Sequence, residues 1–167
     1  MKKSLKRKVV IKIKKYISKI VLFFLFRGFK VTCKYDDVVK KEVESWNDGF
    51  TASINTGLED ANLIIKKENG KLVKLKIAEK LDLEITSKSI DAAFLMFTGR
   101  LGVSKAYAEH RFTLKGEIGK AMSLVRCIDV VEAYLFPKLI TKNILKEIPK
   151  KSMGLARCYG KVLFGKV

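Results

Sequence analysis

The sequence is poor in the residues on which most catalytic chemistry is built. It has one histidine, His110, so a multi-histidine metal centre and the H-E-x-x-H motif are excluded. Cys33, Cys127 and Cys158 are far apart and form no C-x-x-C, which excludes a zinc ribbon or a thioredoxin-like motif. A sparse, unpaired set fits a reducing compartment, so a cytoplasmic location is expected. P-loop, G-x-G-x-x-G and G-x-S-x-G signatures are all missing. The acid pairs Asp36/Asp37, Glu59/Asp60 and Asp82/Glu84 read as solvated charge rather than as general acid–base couples. No enzymatic activity, cofactor or metal is therefore expected. Only two prolines occur and 48% of residues are hydrophobic, which excludes collagen-like, mucin-like and disordered chains.

Long hydrophobic runs are lacking too. The run Ile20–Phe26 is short, and Lys12, Lys14, Lys15 and Lys19 interrupt any window of the ~20 apolar residues a spanning helix needs. Arg27-Gly28-Phe29 offers no signal-peptidase site.

Positive charge is abundant and unevenly placed. The chain carries 35 Lys and Arg against 17 Asp and Glu, a net +18. Residues 1–34 hold twelve basic residues and no acid, and residues 138–167 hold eight basic residues and one acid. Residues 35–137 hold fifteen against sixteen, close to neutral. A neutral middle between basic ends argues against a domain that grips nucleic acid over its whole surface. It points to ends drawn to an anionic surface, a membrane or RNA. Three regions follow: a basic amphipathic helix over 1–34, a domain over 35–137 and a basic extension over 138–167. In the first, Val9, Ile13, Tyr16, Ile17, Ile20, Val21 and Phe24 recur at helical spacing opposite Lys12, Lys15 and Lys19. This predicts an interfacial helix whose Ile20 and Phe24 enter a membrane and whose Lys12, Lys15 and Lys19 meet anionic headgroups; packing on its own domain is the other reading. Residues 31–34 read as a connector.

Within the middle region, Asp36–Trp46 reads as a short helix stopped by Asn47-Asp48-Gly49. Period-two alternation then predicts five strands. Phe50, Ala52 and Ile54 face inward in the first and Leu63 and Ile65 in the second. Val73, Leu75 and Ile77 are expected inward in the third, Leu81, Leu83 and Ile85 in the fourth, and Phe112 and Leu114 in the fifth. Asn69-Gly70 between the second and third is a type I′ hairpin signal. A helix over Ile90–Thr98 is apolar on every side, so it is buried all round or lines a cavity. Glu117–Leu135 is predicted helical, with Ile118, Met122, Val125, Ile128 and Val131 on one face, and Lys138–Ile148 follows. The last eighteen residues fit no element. This predicts an α+β fold: a mostly antiparallel sheet with helices on one face.

Two constellations remain. Gly99-Arg100-Leu101-Gly102 lies between two helices, as does the GxxG loop with which KH domains clamp a nucleotide backbone; the alternative is a helix C-cap and a turn. Phe94, Met96, Phe97, Leu101, Tyr107, Phe112 and Met122 form an excess of large, soft side chains around one helical layer, read either as ordinary core or as a lipid cavity.

The stretch LDLEITSKSIDAAFLMFTGRLGVSKAYAEHRFTLKGEIGKAMSLVRCIDVVEAYLFPK, from the strand around Asp82 to Lys138, resembles the sterol carrier protein type-2 domain, the non-specific lipid-transfer family. The matching pieces are the acidic strand LDLEI, a capped helix with Phe-Leu, the Gly-Arg-Leu break, Ala-Tyr before a strand, and Lys-Gly-Glu-Ile leading into the next helix. With the upstream strands, the resemblance covers about residues 36–135. It implies a five-stranded, mostly antiparallel sheet covered on one face by helices that enclose an apolar tunnel for a sterol, fatty acyl or isoprenoid lipid. By position it implies a lining of Phe94, Phe97, Leu101, Ala106, Tyr107, Phe112, Leu114, Met122 and Val125. The expected role is non-enzymatic lipid binding and transfer or presentation, peripheral at the membrane. The expected partners are a lipid ligand, an anionic membrane surface and a lipid-modifying enzyme, and nucleic acid is not expected. The alternatives are an RNA-binding protein using the GxxG loop and basic tails, or an accessory subunit of a lipid-modifying enzyme.

Overall fold

The computed structural model describes residues 2–57, 61–145 and 147–165; the Glu59/Asp60 pair lies outside them. Two helices open the chain, α1 (Lys2–Tyr35) and α2 (Asp37–Glu44). Four strands follow: β1 (Thr51–Asn55), β2 (Asn62–Glu68), β3 (Lys71–Leu75) and β4 (Leu83–Ser87). Then come α3 (Ile90–Phe97), α4 (Val103–Ala108), β5 (Phe112–Gly116), α5 (Ile118–Leu135), α6 (Lys138–Ile144) and α7 (Leu155–Phe164). The sheet order is β3-β2-β1-β4-β5. β1 and β4 are parallel and the other pairs antiparallel, so the fold is α+β with a five-stranded, mostly antiparallel sheet.

The register places Ala52 beside Ile65 and Leu83, and Ile54 beside Leu63 and Ile85. These side chains make the face on which the helices pack, since residues two apart on a strand share a side. Leu22, Leu25, Phe29 and Val31 of α1, and Cys158 and Val162 of α7, belong to the same core as the strands and α5. The basic N-terminal helix and the C-terminal extension therefore supply walls of the globule.

Local chemistry explains the joints. Asp36 is the N-cap of α2, accepting hydrogen bonds from the backbone N–H groups of Val38 and Val39. Its second oxygen accepts from the Tyr134 hydroxyl at 2.8 Å and from the N–H of Ser152 at 3.3 Å. One buried carboxylate thus ties α2, α5 and the C-terminal segment together, and burial pushes the Tyr134 phenol up to about 12. Ser89 caps α3, accepting from the N–H of Ala92. Trp46 is buried between Phe29 and Phe50, and its indole N–H donates to Ser123 of α5.

Four readings change in the fold. Residues 31–34 are not a connector: α1 continues through Tyr35, with Val31 and Thr32 buried. In β3 the inward residue is Leu72, while Val73 and Leu75 are half-buried on the opposite face and Ile77 is 84% exposed. The two-residue Asn69-Gly70 turn sets this parity. It pairs Glu68 with Lys71 and so Lys67 with Leu72, on the side of Ile65. The buried stripe of α5 is Ala121, Leu124, Cys127, Ile128, Val131 and Tyr134, not the one led by Ile118 and Met122, which are exposed. Small residues on that side let α5 close against α1 and α2. Residues 155–164 form α7, with Cys158 and Val162 one turn apart and buried.

Candidate functional site

A cavity of about 360 Å³ lies between the sheet and the helices. Its floor is Ile54 of β1, Ile85 and Ser87 of β4, and Phe112 of β5. Val21, Phe24 and Leu25 of α1, with Met96 and Phe97 of α3, form one wall, and Val103 of α4 adds to it. Ile128, Glu132 and Leu135 of α5 and the following Phe136 form another, and Tyr159, Val162 and Leu163 of α7 lie across it. The lining is hydrocarbon except at Ser87, Glu132 and the Tyr159 hydroxyl. Protein interiors pack at crystal-like density with few voids larger than a water molecule. A cavity of this size falls at the small end of the ~300–1,000 Å³ range of ligand sites.

The cover over the cavity is held by polar contacts at its edge. Arg27 of α1 donates from Nε to the carbonyl of Val162 and from its terminal nitrogen to that of Gly165 at 2.7 Å. A cation thus meets the carbonyl end of α7, the negative end of its dipole. The Tyr159 hydroxyl donates to the carbonyl of Leu135, and Lys161 donates to the Tyr35 hydroxyl.

Glu132 is the one acidic side chain in the lining among the described residues, and it is 7% exposed. Burial, with a smaller contribution from Asp129 one turn earlier, pushes its carboxyl up to about 8. Asp129 itself is pushed up to about 6 by burial. Cys127 is fully buried and its thiol is pushed up, leaving a small apolar side chain rather than a nucleophile.

Of the lining implied by resemblance, Phe97 and Phe112 stand in the cavity wall. Phe94 lies half-buried outside it, with the Lys14 ammonium 5.5 Å and the Arg100 guanidinium 5.9 Å from its ring centroid. Leu101 and Ala106 are buried in the surrounding core, and Leu114 is half-buried against it. Tyr107 is 54% exposed, its ring tilted over Phe112. Met122 is 52% exposed and Val125 half-buried, following the rotated stripe of α5. Phe24 belongs to the cavity wall. Ile20, Lys12 and Lys19 are exposed on the outer side of α1 and Lys15 is half-buried.

Sequence reading did not assign Glu132 or the α7 residues to the site. One signal for Glu132 was present: it is the only charge in the apolar stretch Val130–Phe136. α7 has its own helical periodicity in Leu155, Cys158 and Val162, but the Arg27 contact across the edge of the cavity comes from 135 residues earlier in the chain.

The outer side of α1 carries an apolar stripe. Val9, Ile13, Tyr16, Ile20 and Phe23 are exposed and recur at spacings of four and three. At ~100° per residue, Lys8, Lys12 and Lys19 run along one flank of that stripe. Among the described residues, no helix is long and apolar enough to cross a membrane.

The GxxG segment is packed shut. Gly99 has a φ of +66° and ends α3, and a Cβ there would meet the Ile140 side chain at 2.3 Å. A Cβ on Gly102 would meet the Ile144 carbonyl oxygen at 2.0 Å. Both glycines are required by close approach of α6 and its end, which gives them a packing role; the KH-like reading has no support here.

No family model matches the chain, and no curated protein matches it. Among solved structures it is similar to UbiJ-SCP2, a ubiquinone synthesis protein, at 15% identity over 64% of this chain and 88% of that one, with a TM-score of 0.47. It is similar to palmitated SCP2L2 from Aedes aegypti at 14% identity, over 63% and 91% of the two chains, with a TM-score of 0.42. Sterol carrier protein domain 2 of Helicoverpa armigera is similar at 16% identity, over 65% and 86%, with a TM-score of 0.44. The likeness is one of chain path alone.

Proposed function

We propose that the protein binds one lipid molecule in the cavity between sheet and helices and transfers or presents it at a membrane surface, without catalysing a reaction on it. The observation that carries this reading is the cavity itself. Its wall is almost wholly hydrocarbon, which favours an apolar guest by about 25 cal/mol per Å² of surface withdrawn from water. A sterol, a fatty acyl chain or an isoprenoid are the ligand classes in view. Presentation to a lipid-modifying enzyme would use the same cavity. The membrane part rests on the exposed stripe of α1 and its basic flank, an arrangement that suits an anionic interface.

The test is to fill the cavity from its half-exposed rim. Val103→Trp should lower the affinity for Nile red, a neutral solvatochromic probe, by about tenfold or more while thermal unfolding stays cooperative. Unchanged probe binding in a folded variant, or no binding by the unmodified protein, would remove the basis for a lipid site.

A further inference from the structure

Glu132 sits where an apolar residue would complete the wall. Its neighbours in the pattern of α5, Ile128, Val131 and Leu135, are all aliphatic. Glu132 lines the cavity at 7% exposure, and among the described residues no hydrogen bond or ion pair reaches its carboxyl. A polar group buried without a partner destabilises the fold that contains it. A ligand that supplies the missing partner removes that penalty when it binds.

We propose that Glu132 is the head-group recognition residue of the cavity, hydrogen-bonding the polar end of a single-chain lipid that terminates in a neutral hydroxyl or carbonyl. This rests on the lipid-binding reading above and names the ligand class within it. The aliphatic part of the guest lies against Ile54, Ile85, Phe97 and Phe112, and its polar end meets the acid on α5. Burial favours the neutral form of the carboxyl, which both donates and accepts. Among the described residues, Asp129, on its own helix, is the charge that acts on it. From α7 the nearest titratable lining group is Tyr159, whose proton is committed to the Leu135 carbonyl. The lining residues of α1, α3, α4 and the sheet are uncharged.

The same environment disfavours two other lipid classes. A fatty carboxylate would bring a second acid into an apolar space, where its charge is poorly solvated. A long-chain amine, already an ammonium ion near neutral pH, would require Glu132 to release its proton to solvent and leave a buried ion pair, whose desolvation offsets its attraction.

The experiment uses the full chain at about pH 6.5, below the Glu132 transition, with displacement of Nile red by 1-tetradecanol, tetradecanoate and tetradecylamine. Unmodified protein should bind the alcohol about tenfold more tightly than the carboxylate or the amine. Glu132→Leu, with its own Nile red affinity measured first so that displacement is read on the right scale, should lose about fivefold or more of its alcohol affinity. Glu132→Gln, whose amide still donates and accepts, should stay within about threefold of the unmodified protein. Both variants should unfold cooperatively, Glu132→Leu at a higher temperature. Unchanged alcohol affinity in Glu132→Leu, or a preference of the unmodified protein for the carboxylate or amine, would overturn the assignment of Glu132 and leave the lipid cavity standing. Failure of the unmodified protein to bind Nile red or any of the three would overturn the cavity reading and this inference with it.

Discussion

At the scale of single residues, two buried carboxyls on this protein differ in their hydrogen bonding. Asp36 accepts from backbone N–H groups and from a phenol, so its oxygens are satisfied. Glu132 lines the cavity, and among the described residues no hydrogen bond reaches its carboxyl. A carboxyl whose pKa is raised in the folded state contributes stability that is complete below its unfolded value and is lost as pH rises through its folded value. For Glu132 that window runs from the ordinary 4.5 up to about 8. Asp129 adds a loss of the same sign between 3.8 and about 6. Urea unfolding at a series of pH values should therefore show the unmodified protein losing stability relative to Glu132→Gln as pH rises. The slope should approach ~1.4 kcal/mol per pH unit within the window. A constant difference between the two proteins would mean that Glu132 is solvated in the fold.

At the scale of elements, α7 is a ten-residue helix docked by few side chains. Cys158 and Val162 are its buried residues, and Arg27 holds the carbonyls at its end. Hydrogen bonds to a charged group contribute ~1.5–3 kcal/mol each, so this contact is a large part of the docking of α7. Arg27→Ala should loosen α7 before the rest of the fold. Amide exchange across residues 155–164 should accelerate by about tenfold or more while β1 and β4 keep their protection. Release of a cavity probe should speed up with it. Equal protection of α7 in the variant would show that apolar docking alone holds the cover. In the β2–β3 hairpin the parity follows from the turn, not from the apolar alternation of Val73, Leu75 and Ile77. Once Ile65 faces inward, a two-residue turn at Asn69-Gly70 puts Lys67 and Leu72 inward as well. Lys67 tolerates that place because its ammonium donates to the carbonyls of Glu44 and Trp46.

At the scale of the whole molecule, α1 faces two ways. Its inner side gives Leu22, Leu25 and Phe29 to the core, and its outer side exposes Val9, Ile13, Tyr16, Ile20 and Phe23. The two sides can be separated by mutation. Deleting residues 1–30 removes three buried large side chains, each worth ~2–5 kcal/mol, against a typical total stability of ~5–15 kcal/mol. That truncation should leave an aggregated or unfolded chain. Ile13→Glu with Ile20→Glu changes only exposed positions, so the fold and probe uptake should persist while co-sedimentation with anionic vesicles falls several-fold. Full sedimentation of that double variant would show that the stripe does not meet the membrane, and that charge alone or nothing brings the protein there.

Much was decided by sequence alone. The alternation of Ala52, Ile54, Leu83 and Ile85, the Asn-Gly turn and the capped apolar helix at Ile90 are local signals with local causes, and they make the sheet and α3 where the chain says they should be. The want of histidine and of paired cysteine excluded whole classes of chemistry before any fold was known. The cavity was decided elsewhere. Which face of α5 turns inward depends on the small residues Ala121 and Cys127 closing on α1 and α2, which brings Ile128 and Glu132 to the cavity and leaves Met122 in water. Phe24 reads as a membrane residue in a helix taken alone, and becomes a cavity wall only because α3, α5 and α7 pack around it. Helical periodicity reports that a helix has an apolar side. It does not report which of several partners will cover that side, because that choice is made by contacts between residues far apart in the chain.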